Sequence, residues 1–170
     1  MEMRNEAAMK DRIRPRIADV IEIPTPKGLA YAHYTHKHEA PPRYGSLLRV
    51  FSGFHQERPS EFSAMVLQPP QFMTFFPLGA ACNRGIVRIA GSEPVPSHAQ
   101  AWPVFRNAMM GPNGHIVSDW WLWDGEKEWK IGKLAKGMEH YPPHGTINDT
   151  ILIERIVNGW RHENFPARMC

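Results

Sequence analysis

Apolar and polar positions alternate from Ile17 onward. Ile17, Asp19, Ile21 and Ile23 are out of phase with Ala18, Val20 and Glu22, leaving one side mainly apolar, which predicts a strand. Pro24-Thr25-Pro26-Lys27-Gly28 reads as a turn, because proline fixes φ and glycine permits positive φ. Leu29–Thr35 then pairs back as the second strand of a hairpin with a slightly long loop. Residues 36–44 are polar with Pro41-Pro42, a loop, and Gly45–Phe51 is a third strand. Phe62–Leu67, Phe72–Phe76 and Gly85–Ala90 read as further strands, the aromatic run Phe72–Phe76 as one buried on both sides. Residues 91–100 connect them to Ala101–Arg106, which is extended because the residue before a proline disfavours the α region.

The clearest local signal lies in Gly114–Leu134. Asp124-Gly125 separates two aromatic, β-favouring runs, a strong hairpin signature. With those two residues as the turn, Trp120 opposes Trp129, Leu122 opposes Lys127 and Trp121 opposes Glu128. Ile116, Trp120, Leu122, Trp129 and Ile131 then form the core face, and Trp121 and Trp123 lie beside Glu126, Glu128 and Lys130 on the polar one. A bulge at Gly125 would shift this register by one. Further on, Lys136–His140 reads as one helical turn stopped by Pro142-Pro143. Asn148 or Asp149 caps a helix over Thr150–Asn158, with Leu152, Ile156 and Trp160 on one stripe, although its β-branched residues pull toward strand. The expected fold is mainly β: a single small β-barrel or a strongly curved antiparallel sheet with a C-terminal helix. Residues 1–16 are expected to be a charged mobile arm, with a helical turn at Asn5–Arg12, and 17–170 a single β-rich domain.

Composition narrows the function classes. The chain has 170 residues, with 42% apolar, 22% charged and 11% aromatic residues, the balance of one folded domain. The net charge of +3 is mostly the arm: residues 1–16 hold five bases and three acids, and residues 17–170 hold 15 bases and 14 acids. A nearly neutral body disfavours nucleic acid as partner, because phosphate neutralisation supplies much of that affinity. The longest apolar stretch, Phe72–Cys82, is 11 residues and contains Pro77, too short to cross a membrane. Two cysteines and no signal-peptide pattern at Met1–Arg12 point to a reduced, cytoplasmic setting.

The chemistry candidates are sparse. His33, His36, His38 and Glu39 form the best metal pattern, since His36 and His38 share one strand face at i, i+2; a third ligand would have to come from Glu39, His55 or His115. A polar strand end is the simpler account of them. Cys82 sits among Ala80, Ala81 and Asn83 with nothing to activate it, and reads as a buried structural thiol. No nucleophile elbow, phosphate loop, dinucleotide fingerprint or zinc-protease motif is present, so no catalytic residue and no cofactor are expected. Trp102, Trp120, Trp121, Trp123 and Trp129 fall within 28 residues. For Trp121 and Trp123 three readings compete: a second core layer, a protein-partner surface, and a stacking platform for bases or sugars. Glu126 and Glu128 beside them would repel phosphates, which disfavours stacking on nucleic acid.

The run Ala18-Asp19-Val20-Ile21-Glu22-Ile23-Pro24, a turn with Gly28, and Leu29-Ala30-Tyr31-Ala32 resemble the opening of the immunity protein 26 family of bacterial polymorphic toxin systems. Trp102-Pro103-Val104 is similar to that family's Trp-Pro-hydrophobic segment. The resemblance covers residues 17–106, with Ala18 and Ala32 standing where the family has Gly. It implies a mostly β, non-enzymatic cytoplasmic protein that neutralises a cognate toxin by occluding it. The residues expected to make contact are Trp121, Trp123, Glu126 and Glu128. The alternatives are a small β-barrel that binds nucleic acid through the arginine arm and aromatic platforms, and an enzyme with a His-lined site.

Overall fold

The structure, a computed structural model, describes residues 10–165. The chain is mainly β, with eight strands in two antiparallel sheets. The first sheet contains β1 (Asp19–Thr25), β2 (Gly28–His38), β3 (Gly45–Val50), β4 (Phe72–Phe76) and β5 (Arg88–Ser92), in the order β4-β3-β2-β1-β5. The second contains β6 (Phe105–Asn107), β7 (Trp120–Trp123) and β8 (Glu128–Gly132), in that order. No barrel closes, because β4 and β5 are opposite edges that do not pair. Helical pieces are short: α1 (Ser63–Val66), α2 (Leu78–Asn83) and α3 (Asp149–Val157).

Both faces of the first sheet are buried, which explains why its strands alternate so weakly in sequence. On one face Ile21, Ile23, Ala32, Leu48 and Phe72 pack under α2 and α3, which contribute Leu78, Cys82, Leu152 and Ile156. α3 begins where Asn148 Oδ1 accepts the N–H of Ile151, the expected cap. On the other face Val20, Tyr31 and Phe51 pack against Phe62 and Val66 of α1 and its lead-in. Phe62–Leu67, expected as a strand, is instead a helical turn with its lead-in, which packs Phe62 and Val66 with Tyr31 and Phe51. Glu22 is on this same face and buried, yet it stays charged. Arg58 grips both carboxylate oxygens at 2.7 and 3.0 Å, and the Tyr31 hydroxyl donates at 2.9 Å. The Arg58 hydrogen bond leads in holding the Glu22 carboxyl below its usual range, and burial leads in pushing the Tyr31 phenol up to about 12.

The first hairpin is tighter than its proline-rich loop suggests, since Thr25 pairs with Gly28 around a two-residue turn. β2 is longer than expected: it runs to His38 through a polar stretch that reads as loop, because β3 supplies partners as far as His38↔Gly45. Arg16-to-Lys10 forms neither helix nor strand. Most of the helical turn expected at Asn5–Arg12 lies outside the described residues.

The two sheets are joined by the segment 142–147. The Arg106 N–H donates to Pro142 O, and the His144 N–H donates to Arg106 O. The Ile147 N–H then reaches Phe75 O on β4. One extended strap thus pairs with an edge of each sheet. Arg106 secures it with its side chain as well, being wholly buried and donating to Tyr141 O, Glu139 O and His162 O at 3.0, 3.3 and 2.6 Å. Its guanidinium also sits over the rings of Trp120 and Phe165, at 5.1 and 5.3 Å, an arrangement favourable to a desolvated cation. His162 ties the strap's far side to β4: its Nδ1 donates to His140 O, so Nε2 accepts the Met73 N–H at 2.8 Å.

Candidate functional site

The site is built where the end of β2, the Trp102 segment, the β7–β8 turn and the strap converge. The turn itself differs from expectation in an instructive way. Leu122 pairs with Trp129 and Trp123 with Glu128, so the central turn residues are Gly125 and Glu126 rather than Asp124 and Gly125. Gly125 has φ +98°, and no positive φ occurs at Asp124 or Glu126, the requirement of a turn with glycine first. Asp124 flanks the turn instead, its Oδ1 accepting from the N–H groups of Glu126 and Lys127 at 3.0 and 2.8 Å. A slip of two residues keeps Trp121, Leu122 and Trp123 on their expected faces, and a bulge between Trp120 and Trp121 then sets Trp120 opposite Gly132. Trp120 and Leu122 are accordingly buried. Trp129 is not buried, because β8 is an edge strand with nothing packed over that indole.

Trp123 corrects the expected contact surface. It is only 7% exposed, whereas Trp121, two positions away on the same face, is 38% exposed. The reason is the fold of the second sheet onto the first. Trp123 packs with Leu47, Phe75 and Phe105, and His144 of the strap stacks on its indole at 4.3 Å and 12°. His38 and Trp102 meet the same ring edge-on at 5.0 and 6.0 Å. Trp123 is therefore a core residue and leaves the surface to Trp121, Glu126 and Glu128.

Above this cluster is a cavity of about 390 Å³, lined by Lys37, His38, Glu39, Trp102 and the turn residues Asp124, Gly125 and Glu126. A side chain at 125 would collide with the Trp102 indole nitrogen, so only glycine lets the turn close over that ring. The rim is acidic: three carboxylates face one ammonium, and Lys37 is already paired with Glu39 at 2.7 Å. Nearby, burial and then the Glu128 carboxylate push the Tyr44 phenol upward. Two lining residues hold polar atoms without partners among the described residues, His38 Nδ1 and Trp102 Nε1, as do both ring nitrogens of His144 in the cluster beneath. Burial, and secondarily His38, push His144 down to about 4, so it is a neutral ring at ordinary pH.

The structure brings His36, His38, Trp123 and Glu126 into one region, but His33 Nε2 and both ring nitrogens of His36 are engaged by other partners. A bulge between Tyr34 and His36 turns His33, His36 and His38 onto one face of β2. His33 Nε2 is nonetheless occupied by Glu93 O at 2.8 Å and Ala18 O at 3.2 Å. His36 uses both nitrogens, Nε2 donating to Gln100 O and Nδ1 accepting from the Thr35 hydroxyl, each at 2.9 Å. Among the described residues no three His, Cys, Asp or Glu side chains gather as a cation site. Cys82 is buried, and burial pushes its thiol up to about 11, the opposite of activation. Trp102 entered the sequence reading only as one of five clustered tryptophans and as part of a Trp-Pro pair. Tyr44 and His144 carried no signal, since each joins the site from a proline-bearing segment far along the chain. Comparison with known proteins finds no match to this chain among family models, curated proteins or solved structures.

Two outcomes test this geometry. Trp123→Ala should lower stability by about 3–5 kcal/mol, whereas Trp121→Ala should change it by less than about 1 kcal/mol, both read from urea midpoints. Stability should also fall as pH drops below 6.5, the ordinary histidine value, because the unfolded chain takes up protons that buried His144 refuses until about pH 4. His33, His36 and His162, all pushed down first by burial, act in the same direction. His144 alone should cost roughly 3 kcal/mol across that window, measurable as a falling melting midpoint from pH 7 to 4.5.

Proposed function

We propose that the chain is a non-enzymatic protein-binding module of the immunity type, which neutralises a partner by occluding it with the β7–β8 hairpin. The observation that carries this reading is where the exposed apolar side chains lie. Of eleven large hydrophobic residues exposed among the described residues, five, namely Met109, Met110, Val117, Trp121 and Trp129, belong to the β6–β8 sheet and its connection. Interfaces draw on tryptophan and methionine because these bury much area with adaptable or stiff side chains. β8 is a free edge carrying Glu128 and Lys130 beside Trp129, charges that discourage indiscriminate strand pairing while leaving the indole accessible. The acidic cavity at the hairpin tip, with Glu126 and Asp124 on its rim, complements a basic side chain of the partner. The family resemblance at residues 17–32 and 102–104 supports the same class and suggests a toxin domain as that partner.

The test is co-expression with candidate bacterial toxin domains, scored by survival and by co-purification. Trp121→Ala combined with Trp129→Ala should weaken the complex at least tenfold, since buried aromatic anchors carry most interface energy. Leu67→Ala, which trims a still more exposed apolar side chain elsewhere, should leave it unchanged. Equal protection by all variants would contradict the proposal.

A further inference from the structure

The fold gathers cations in a way the total charge conceals. Lys10, Arg12, Arg14 and Arg16 occupy every second position of the arm, with Asp11, Ile13, Pro15 and Ile17 between them. The arm is tethered: Asn83 Oδ1 accepts the Ile13 N–H at 2.9 Å, and Asn83 Nδ2 donates to Ile13 O at 2.8 Å. One side-chain amide thus satisfies both backbone groups of Ile13, as a neighbouring strand would. Between arm and body runs a groove of about 400 Å³, whose lining includes Lys10, Ile13, Asn83, Arg84 and Arg88. Arg84 and Arg88, exposed at the end of α2 and the start of β5, thereby join the arm's four cations.

None of these six cations makes an ion pair among the described residues. The carboxylates nearest these cations are those of Asp11, Asp19 and Glu22: the Arg16 N–H already engages Asp19 Oδ2 at 2.7 Å, and Glu22, opposite Arg88 in the sheet, is held at both oxygens by Arg58. Six cations against three acids leave an excess of +3, the net charge of the entire chain, gathered in this one region. We infer that this groove is a second binding surface, distinct from the hairpin, and that it takes the phosphodiester backbone of nucleic acid. Five of the six cations are arginines, whose planar forks present paired donors to phosphate oxygens. Their recurrence along a tethered segment suits a polymer whose charge repeats at every unit. No aromatic side chain lines the groove, so recognition is of backbone and not of base.

The test is fluorescence anisotropy of a labelled 20-nucleotide single strand with the full chain, titrated from 50 to 200 mM salt. Engagement of four phosphates predicts a loss of affinity of about 50-fold across that range. Arg12→Ser combined with Arg84→Ser should flatten the salt dependence, whereas Lys133→Ser with Lys136→Ser should leave it intact. Asn83→Ala removes no charge but frees the arm, and should weaken binding several-fold. Melting midpoints of each variant separate lost binding from lost folding. Absence of binding at 50 mM salt, or equal effects of the two charge-removing variants, would overturn the inference. Equal competition by polyglutamate of matched length would also overturn it, in favour of an acidic protein partner. Trp121→Ala with Trp129→Ala should bind the strand normally, which keeps this result separate from the fate of the hairpin proposal.

Discussion

A buried guanidinium must find acceptors, and Arg106 finds them in the backbone. Wholly enclosed and without an ion pair among the described residues, it donates from Nε and Nη2 to three carbonyls 33 to 56 residues away, while Nη1 has no hydrogen-bond partner among those residues. Leaving such a charge unsatisfied would cost several kcal/mol, so the loops carrying Glu139, Tyr141 and His162 have little freedom to go elsewhere. That constraint places Pro142 and His144 against the β6 backbone and delivers Ile147 to β4. The strap in turn lays His144 on Trp123, closing the second sheet onto the first. The hairpin tip with its acidic cavity projects from that closure.

Much of the architecture is legible in sequence where local chemistry decides it. The Asn148 cap and the Leu152–Ile156 stripe mark α3 correctly, and the aromatic density of Phe72–Phe76 marks a strand buried on both sides. The β7–β8 hairpin is legible too, and its faces survive the two-residue slip because strand periodicity is two. What local chemistry cannot decide is which faces are covered twice. Trp123 and Trp121 are equivalent in the alternation; only the arrival of Phe75, Phe105 and His144 from elsewhere distinguishes them. For the same reason Trp129 looks like core and lies at an edge.

The candidate site was half legible. His38 and Glu126 were singled out for separate reasons, metal binding and partner contact, and the fold makes them neighbours on one cavity wall. Trp102 completes that wall, and Tyr44 and His144 the aromatic cluster beneath it, from segments whose prolines and polarity suggest only connection. The charge count misled in a comparable way. A near-neutral body is a sum over the whole surface, whereas Asn83 pins a basic arm beside Arg84 and Arg88 and so gathers the chain's excess positive charge in one region. The molecule therefore presents two unlike surfaces, an aromatic and acidic hairpin and a basic groove, on opposite ends of the strand order.

The central claim is that the strap unites two sheets into one cooperative body. Native-state hydrogen exchange at the His144 and Ile147 amides tests it directly, since those N–H groups bond Arg106 O and Phe75 O. The account predicts that both exchange only through global unfolding, with protection equal to that of Ile21 and Leu48 in the first sheet's core. Exchange orders of magnitude faster at His144 and Ile147, with Ile21 and Leu48 still protected, would show that the second sheet opens by itself and would contradict it.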